Sequence, residues 1–394
     1  MGLLHIALLT RGSPQAISGG FLYHRRLADR APAHGAVISF GQESWRWSPR
    51  RLDDVVVVDS IAAWRMLPAV VRWRRRVPFV AIVHQRPGGT DGPRLWRLVK
   101  GRLDRAVYRR CRATIAASRT LHRCLVDDHG LPPADVVVVE PGCDLPSAPP
   151  AGGMRAGRRA AVLSVANWYP NKGIVELLDA VAALPADAAT LHLAGRPDVD
   201  PAYTTRVRAR LTRPDLVGRV VVHGAVDSPT AAGLYAGADV FALASVLEGY
   251  ATVCAEALAS GLPVVGWRRP FLEDFVRDGM EGRLAELGDV PGLTRALADV
   301  LDDDRREGFA AAARRRGRTL PTWADTAARF FAVVSGSRAD AVEPAHDRPV
   351  GVDVDAADAG ILHEEPEGQR ARDAEGPLDR RLDGADVGDD DDRR

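Results

Sequence analysis

The chain has 394 residues, enough for two domains of ordinary size, and its hydrophobic content of 46% is typical of a globular protein. The formal charge of +1 hides an asymmetry, because residues 337–394 carry 18 acidic and 8 basic residues, whereas residues 1–336 carry 34 acidic and 45 basic residues. The longest apolar runs fall short of the ~18 residues needed to span a membrane. The four cysteines are far apart without a C-x-x-C pair, which argues against a zinc site or a disulfide scaffold and favours a cytoplasmic protein.

Short apolar segments alternate with helical segments through residues 1–148, as in a parallel sheet that is covered by helices. Gly19 and Gly20 stand at the start of the first helix, where backbone N–H groups can approach an anion. His84 ends a later strand and therefore lies at the edge of the sheet where ligands bind. The strands predicted for this domain are His5–Thr10, Val37–Phe40, Val55–Asp59, Phe79–Val83, Thr114–Ala116 and Val136–Val139.

A segment rich in Pro, Gly and Ala, Pro146–Arg159, predicts a linker to a second domain at residues 155–320. Lys172 stands before an amphipathic helix of that domain, and an ammonium group beside a helix N-terminus suits a diphosphate. A last helix is predicted within residues 321–336. Residues 337–394 are acidic and lack aromatic residues, which predicts disorder. The predicted strands of the second domain are Ala160–Val165, Thr190–Gly195, Val220–Gly224, Asp239–Ala244 and Val264–Gly266.

The segment from Asp239 to Gly266 carries the clearest functional pattern. Its loop, Ser245–Ala251, connects a strand to a helix that begins near Thr252, so the loop lies at the ligand-binding edge. The first N–H groups of that helix form an anion site, and a carboxylate within the helix, Glu256, suits the hydroxyls of a ribose. Glu248 adds a second carboxylate in the loop. The alternative is an ordinary βαβ unit with two solvated glutamates.

The pattern E-G-Y-x-x-x-x-x-E from Glu248 to Glu256, followed by A-L-A-S-G-L-P-V-V, resembles the signature of the family 4 retaining glycosyltransferases. The G-G-x-x-x-H pattern at Gly19–His24 and the strand that ends at Ser118 are similar to segments of the same family. The resemblance covers roughly residues 5–335. It implies an α/β fold of the GT-B type, in which two Rossmann-like domains face each other across a cleft and the last helix packs back on the first domain.

The resemblance also implies a reaction. A glycosyl group would move from a nucleoside diphosphate sugar to an acceptor hydroxyl with retention of the anomeric configuration. His84 would line the reacting face of the sugar, Glu248 would hold its hydroxyls, Lys172 would stabilise the leaving diphosphate and Glu256 would hold the ribose. The remaining donor-binding residues would be Gly19, Gly20, Asn167, Arg196, Ala251, Thr252 and Val253.

Two positions depart from the family pattern. Asn167 stands where the family usually has an arginine, so a bidentate phosphate clamp is missing, and we expect Arg196 to replace part of its charge. Ala251 stands where the family usually has a glycine. These departures leave open a catalytically weak or inactive glycosyltransferase-like binding protein.

Other functions fit the sequence less well. An NAD-dependent oxidoreductase is disfavoured because no G-x-G-x-x-G pattern follows a strand, and a nucleotide-sugar epimerase on the same fold is a further alternative. Asp198–Asp200 and Asp302–Asp304 contain a D-x-D pattern, but neither follows a strand. We therefore expect no required metal and no cofactor besides the donor substrate.

Two arginine-rich segments suggest a partner for the first domain. Arg65–Arg76 has five arginines and no acid, and Arg94–Arg112 has eight basic residues and one acid. With tryptophans among the charges, these segments fit an anionic membrane, such as the inner face of the plasma membrane, and a solvated arginine-rich surface is the alternative. Nucleic acid is not expected, because no nucleic-acid-binding module accompanies the charges. The second segment predicts an amphipathic helix with an apolar stripe of Leu95, Leu98, Val99, Leu103, Ala106 and Val107.

Overall fold

The computed structural model describes residues 2–12, 19–89 and 93–336. The described chain forms two six-stranded sheets in which every pairing is parallel. The strands are β1 Leu4–Thr10, β2 Ala36–Gln42, β3 Val55–Asp59, β4 Phe79–Val83, β5 Ala113–Ala116, β6 Val136–Val138, β7 Ala160–Val165, β8 Ala189–Ala194, β9 Val220–Gly224, β10 Val240–Leu243, β11 Val264–Trp267 and β12 Gly282–Ala285. The first sheet has the order β2-β1-β3-β4-β5-β6, and the second has the order β12-β11-β10-β7-β8-β9.

Helices connect the strands and cover both faces of each sheet. Four clusters of buried apolar side chains fill the spaces between sheets and helices, two in each domain. The α-helices are α1 Gly19–Arg30, α2 Ala63–Trp73, α3 Arg94–Tyr108, α4 Arg119–Arg123, α5 Ile174–Ala182, α6 Pro201–Leu211, α7 Ser228–Gly237, α8 Thr252–Ala259, α9 Pro270–Glu273, α10 Val290–Leu301, α11 Asp303–Gly317 and α12 Trp323–Ser335. Short 3₁₀ turns lie at Ala31–His34, Pro133–Asp135, Pro170–Lys172 and Pro214–Leu216, and a π-helical turn lies at Cys124–Asp128.

The strand order determines where ligands can bind. In the second sheet β7 lies between β10 and β8, so the chain leaves β7 in one direction and later returns on its other side. A crevice opens at such a switch point beyond the carboxyl ends of the strands. The loop after β7 carries Lys172 and the loop after β10 carries Glu248, so both face this crevice.

The last helix returns to the first domain. The indole ring of Trp323 lies 5.8 Å from the ring of Tyr23 in α1, and Thr326 donates its hydroxyl to the carbonyl oxygen of Glu140 at 2.8 Å. Phe330 and Phe331 complete the cluster that covers one face of the first sheet. The helix therefore contributes to the core of the first domain, although it follows the second domain in sequence.

The predicted fold class is confirmed, since two Rossmann-like domains face each other across a cleft. The apolar stripe predicted for α3 differs from the observed packing. Val107 is buried and Leu103 is half-buried, whereas Leu95, Leu98 and Val99 are exposed. The predicted disorder of residues 337–394 concerns a segment outside the described residues. Within the described part of the chain, none of the helices has the length and hydropathy needed to cross a bilayer.

Candidate active site

The carboxyl edges of the two sheets contact each other through the loop after β10. Ser118, at the start of α4, donates its hydroxyl to the carbonyl oxygen of Gly249 at 2.7 Å. A Cβ atom at Gly249 would lie 1.9 Å from the carbonyl oxygen of His84, so any larger residue would push the domains apart. This close approach places His84 of the first domain directly against the glutamate loop of the second.

A second contact between the domains lies beside the first. Asp274 accepts hydrogen bonds from the backbone N–H of Thr120 at 3.0 Å and from its hydroxyl at 2.7 Å. The guanidinium of Arg123 donates to the other carboxylate oxygen at 2.8 Å. A carboxylate of the second domain thus caps the N-terminus of α4 in the first domain.

Two helix N-termini meet in the cleft. A Cβ atom built at Gly19, the first residue of α1, would lie 3.7 Å from the side-chain oxygen of Thr252, the first residue of α8. The first N–H groups of an α-helix lack partners within the helix, and the helix dipole makes this end electropositive. Two such ends from different domains meet in the assembled cleft, and this arrangement suits a bound anion.

Ala251 caps α8 in an unusual backbone conformation. Its φ of 60° and ψ of 56° are left-handed, and it is one of two such non-glycine residues in the described chain. A Cβ atom in this region clashes with the following carbonyl group, at a cost of about 1–2 kcal/mol. This conformation explains why a glycine suits the position in the family that the sequence resembles.

Lys172 and Glu248 form the charged centre of the second domain's loops. The ammonium nitrogen of Lys172 lies 2.5 Å from Oε1 of Glu248, and both side chains are largely buried. The loops that carry them are held together, because Val246 donates its N–H to the carbonyl oxygen of Asn171 at 2.8 Å. The carboxylate therefore fixes the cation at the edge of the cleft.

Glu256 lies half-buried in α8, with Tyr235 donating its hydroxyl to Oε2 at 3.1 Å. Burial raises the pKa of Glu256 from 4.5 to about 7, although the Tyr235 hydrogen bond and the nearby charge of Arg26 act in the opposite direction. A carboxylate that is desolvated in this way gains from hydroxyl donors that replace its lost water. The site therefore suits a diol such as that of a ribose.

The imidazole of His84 belongs to a buried polar chain in the first domain. Its Nε2 lies 3.1 Å from Nε2 of His24, which in turn lies 3.7 Å from Oδ2 of Asp59. Thr10 donates its hydroxyl to the same Asp59 oxygen at 2.8 Å. Burial and, to a smaller extent, the neighbouring His24 lower the pKa of His84 to about 4 against the opposing charge of Asp59, so His84 is neutral at physiological pH.

Neither His24 nor Asp59 was assigned a role from the sequence. Asp59 ends an otherwise all-valine buried strand, and a charge in that place is the signal that indicates a polar site. Donor atoms of His24, Asp59 and His84 lie within 4.8 Å of one another, so these three side chains form a group that a metal ion would fit. A hydrogen bond between the two histidines also explains why their Nε2 atoms lie so close together.

Asn167 and Arg196 interact with each other, but in a different way from the expected one. The side-chain oxygen of Asn167 accepts the backbone N–H of Arg196 at 2.9 Å. The Arg196 side chain is 42% exposed, and its guanidinium donates to both carboxylate oxygens of Asp198, at 3.1 and 2.8 Å. The amide at position 167 thus orders the loop after β8, and the charge of Arg196 is neutralised by an adjacent acid.

A cavity of about 430 Å³ adjoins the glutamate loop. Its walls come from α4 and the loop after β4 in the first domain, and from the loops after β10 and β11 in the second. Its polar lining includes Arg86, Arg123, Asp127, Glu248, Arg269 and Asp274. Glu248 lines this cavity and also binds Lys172, so the cavity adjoins the charged centre of the second domain's loops.

Comparison with known proteins agrees with this architecture. Residues 5–146 match the model of the family described as Glycosyltransferase Family 4, and residues 159–303 match the model described as Glycosyl transferases group 1. Among solved structures, HepE of Anabaena in complex with UDP and glucose has a TM-score of 0.68 and 17% sequence identity. The similarity covers 84% of this chain and 100% of HepE, which at this identity establishes the common fold.

Curated relatives carry related names. An MMP alpha-(1->4)-mannosyltransferase of Mycolicibacterium hassiacum is 29% identical over 65% of this chain and 64% of its own length. A D-inositol 3-phosphate glycosyltransferase of Salinispora tropica is 32% identical over 52% of this chain and 47% of its own length. The chain thus spans less than two thirds of the length of these relatives. Each of the two family models matches one domain, and together they indicate a GT-B glycosyltransferase of the family 4 type.

Proposed function

We propose that the protein transfers a glycosyl group from a nucleoside diphosphate sugar to an acceptor hydroxyl, with retention of configuration and without a metal ion. The observation that carries the proposal is the meeting of the α1 and α8 N-termini at Gly19 and Thr252, beside the Lys172–Glu248 pair. This arrangement combines two helix N-termini, a cation that is held by a carboxylate, and a second carboxylate in one cleft. HepE, which shares the fold, has been solved with UDP and glucose.

The donor would lie across the cleft with its diphosphate between the helix N-termini. The backbone N–H groups near Gly19 and Gly20 and those of Ala251–Val253 would bind phosphate oxygens, and Lys172 would add one positive charge. Glu256 would accept the ribose hydroxyls. Glu248 would hold the sugar through Oε2, since Oε1 is engaged by Lys172.

In the reaction the bond between the anomeric carbon and the diphosphate oxygen breaks, and the acceptor oxygen forms a bond to the same carbon. Negative charge develops on the departing diphosphate, where the helix N-termini and Lys172 stabilise it. The acceptor attacks from the side that the diphosphate leaves, so the configuration is retained. The departing phosphate oxygen takes the acceptor proton, because neutral His84 is proposed to orient the sugar and not to act as the base.

The cavity beside Glu248 is the proposed acceptor site. Its mixture of arginines and carboxylates suits a polyhydroxylated acceptor, since both groups pair with hydroxyls by charge-assisted hydrogen bonds. The cavity residues of the first domain would then determine which acceptor binds, while the second domain binds the donor.

A catalytically inactive binding protein is the second candidate. The specific observation in its favour is that Asn167 replaces an arginine and that Asp198 neutralises Arg196. Among the residues assigned to donor binding, Lys172 is then the cation that remains for the diphosphate. Its ammonium group is already paired with Glu248. Such a protein would bind nucleoside diphosphates and release no sugar.

Product analysis separates the two candidates. UDP-, GDP- and ADP-linked sugars are incubated with the protein, a panel of saccharide and polyol acceptors, and EDTA. Release of nucleoside diphosphate with a glycoside whose anomeric proton signal matches the donor's configuration supports transfer with retention. Inversion contradicts the mechanism, and binding of nucleotide without any turnover across the panel supports the inactive candidate.

A further inference from the structure

The first turns of α3 expose an apolar surface. Residues 94–99 are all exposed, and the exposed fraction is 72% for Leu95, 44% for Trp96, 52% for Leu98 and 36% for Val99. The first buried residue of α3 is Gly101, and the other buried residues of the helix are Asp104, Val107 and Tyr108. A helix that places four large apolar side chains in water is more hydrophobic than its fold requires.

Basic residues surround this surface. Arg94, Arg97 and Arg102 of α3 are exposed, and Lys100 is half-exposed. The acid of the helix, Asp104, is buried and points inward, where it accepts the backbone N–H of Gly88 at 2.8 Å. The exposed side of the helix therefore combines apolar and cationic side chains.

The neighbouring helix continues the same surface. The ring of Trp64, which follows the first residue of α2, lies 5.6 Å from the ring of Trp96 in an edge-to-face contact. The guanidinium of Arg65 lies 4.9 Å from the centre of the Trp64 ring. We call this set of residues, Trp64, Arg65, Arg94, Leu95, Trp96, Arg97, Leu98, Val99 and Arg102, the α3 surface.

The α3 surface lies at the cleft end of the first domain. Both helices follow parallel strands and therefore begin at the carboxyl edge of the sheet, the edge that carries His84. The arginines at positions 72 and 74–76 lie at the opposite end of α2, about 16 Å away for a helix of 11 residues. The two basic segments seen in the sequence thus lie in different places on the domain.

We propose that the α3 surface binds an anionic lipid membrane. Tryptophan and leucine side chains enter the boundary between headgroups and acyl chains, and arginines around them pair with lipid phosphates. The charge of the rim is complementary to an anionic membrane, whereas a second copy of this basic surface would repel it. Because the α3 surface lies at the cleft end of the domain, membrane binding would bring the cleft close to the lipid. The use of this position to reach a membrane-bound acceptor is the part of the proposal that rests on the proposed function.

Vesicle cosedimentation of the full chain tests the proposal without any sugar donor. Vesicles of 30% phosphatidylglycerol in phosphatidylcholine should bind the protein at low salt and release it at high salt, and pure phosphatidylcholine should bind it weakly. Replacing Arg94, Arg97 and Arg102 with serine should weaken binding on the order of 100-fold, at about fivefold per arginine. The double substitution Leu95→Ser and Leu98→Ser should weaken it about tenfold or more.

Two matched controls use the second domain. Arg206, Arg208 and Arg213, exposed residues in and just after α6, are replaced with serine to remove the same charge. The exposed Val217 and Leu287 are replaced with serine to remove a similar apolar area. Both control variants should keep vesicle binding within about threefold of the wild type, since neither changes the α3 surface and salt screens the charge that is removed from the second domain.

Equal losses in the α3 and control variants would overturn the proposal, because binding would then follow net charge and not this surface. Binding that is indifferent to lipid charge would do the same. Sedimentation velocity provides a further check. A wild-type dimer that becomes monomeric on Leu95→Ser and Leu98→Ser substitution, without vesicle binding, would assign the surface to a second copy of the chain instead.

Discussion

At the scale of single residues, the chemistry of the cleft depends on groups held in unfavourable states. Glu256 is a carboxylate with a raised pKa, Ala251 is a non-glycine residue in left-handed conformation, and His84 is a histidine held neutral. Each state has a cost in folding free energy that a bound donor would partly recover. Mutations at these positions should therefore change stability and binding in opposite directions.

Glu256→Gln should make this opposition measurable. The folded-state pKa of about 7 lies above the ordinary 4.5, so the folded protein keeps a proton that the unfolded chain has lost, and stability falls as pH rises from 4.5 to 7. Glutamine removes this loss. By urea denaturation the variant should be about 1–3 kcal/mol more stable than wild type at pH 8 and equally stable at pH 4.

The same variant should bind nucleoside diphosphate more weakly. A charge-assisted hydrogen bond contributes about 1.5–3 kcal/mol, so the calorimetric Kd should rise about 10- to 100-fold. Glu307→Gln, at an exposed position in α11, is the control and should change neither property. An unchanged Kd in Glu256→Gln would remove the ribose role from this residue.

Ala251→Gly should stabilise the protein. The substitution relieves the left-handed strain of about 1–2 kcal/mol but loses a buried methyl group and adds chain entropy, so we expect a net gain of about 0.5–1 kcal/mol. Ala255→Gly, four residues along α8 in ordinary helical conformation, should instead destabilise by about 1 kcal/mol or more. Denaturant midpoints for both variants test the sign, and destabilisation by Ala251→Gly would show that the methyl packing is the larger effect.

At the scale of secondary structure, the sequence was informative where burial alone decides the outcome. β3 and β4 are fully buried runs, and their predicted bounds coincide with the observed Val55–Asp59 and Phe79–Val83. The prediction of a helix at α3 was correct, but much of its predicted apolar stripe is exposed. A periodic pattern does not tell which neighbouring element covers the apolar side chains. The same limit applies to His24 and His84, which are 60 residues apart and meet only through the order of the sheet.

The contact between Asp274 and α4 joins the two domains, and we expect it to hold the cleft closed. Asp274→Ala should favour an open cleft, because α4 loses a cap from the other domain and Arg123 loses its partner. Small-angle scattering should show a larger radius of gyration for this variant than for wild type. Asp227→Ala also removes a helix cap, that of α7, but within the second domain, and should leave the radius of gyration unchanged. Equal radii in all three proteins would show that Asp274 does not hold the cleft closed.

At the scale of the whole molecule, the division of charge separates a basic folded part from an acidic segment. Residues 1–336 have a net charge of +11 and residues 337–394 have a net charge of −10. The resemblance to a family could be read from the sequence because its signature is local, lying within residues 239–266. The complete site could not be read from the sequence. Gly19 meets Thr252, and His84 meets Gly249, only where the two domains come together.

Truncation after Gly336 should leave the catalytic part intact. The removed segment carries no aromatic residue and the proposed site residues all precede it. We expect the thermal midpoint and the nucleotide affinity to stay the same as in the full chain. Vesicle binding should become tighter, because removal of ten net negative charges increases the attraction to an anionic surface. Loss of nucleotide binding in a truncated protein that remains folded would contradict this division.

The proposed function requires the cleft between the two domains to bind the diphosphate of a sugar donor. Isothermal titration of UDP, GDP and ADP into wild type, Lys172→Ala and Arg208→Ala tests it most directly, since Arg208 is an exposed cation of the second domain far from any assigned role. We predict micromolar binding of at least one nucleotide, a loss of about tenfold or more in Lys172→Ala, and no change in Arg208→Ala. Equal affinity in all three proteins, or no binding of any nucleotide to the wild type, would contradict the account.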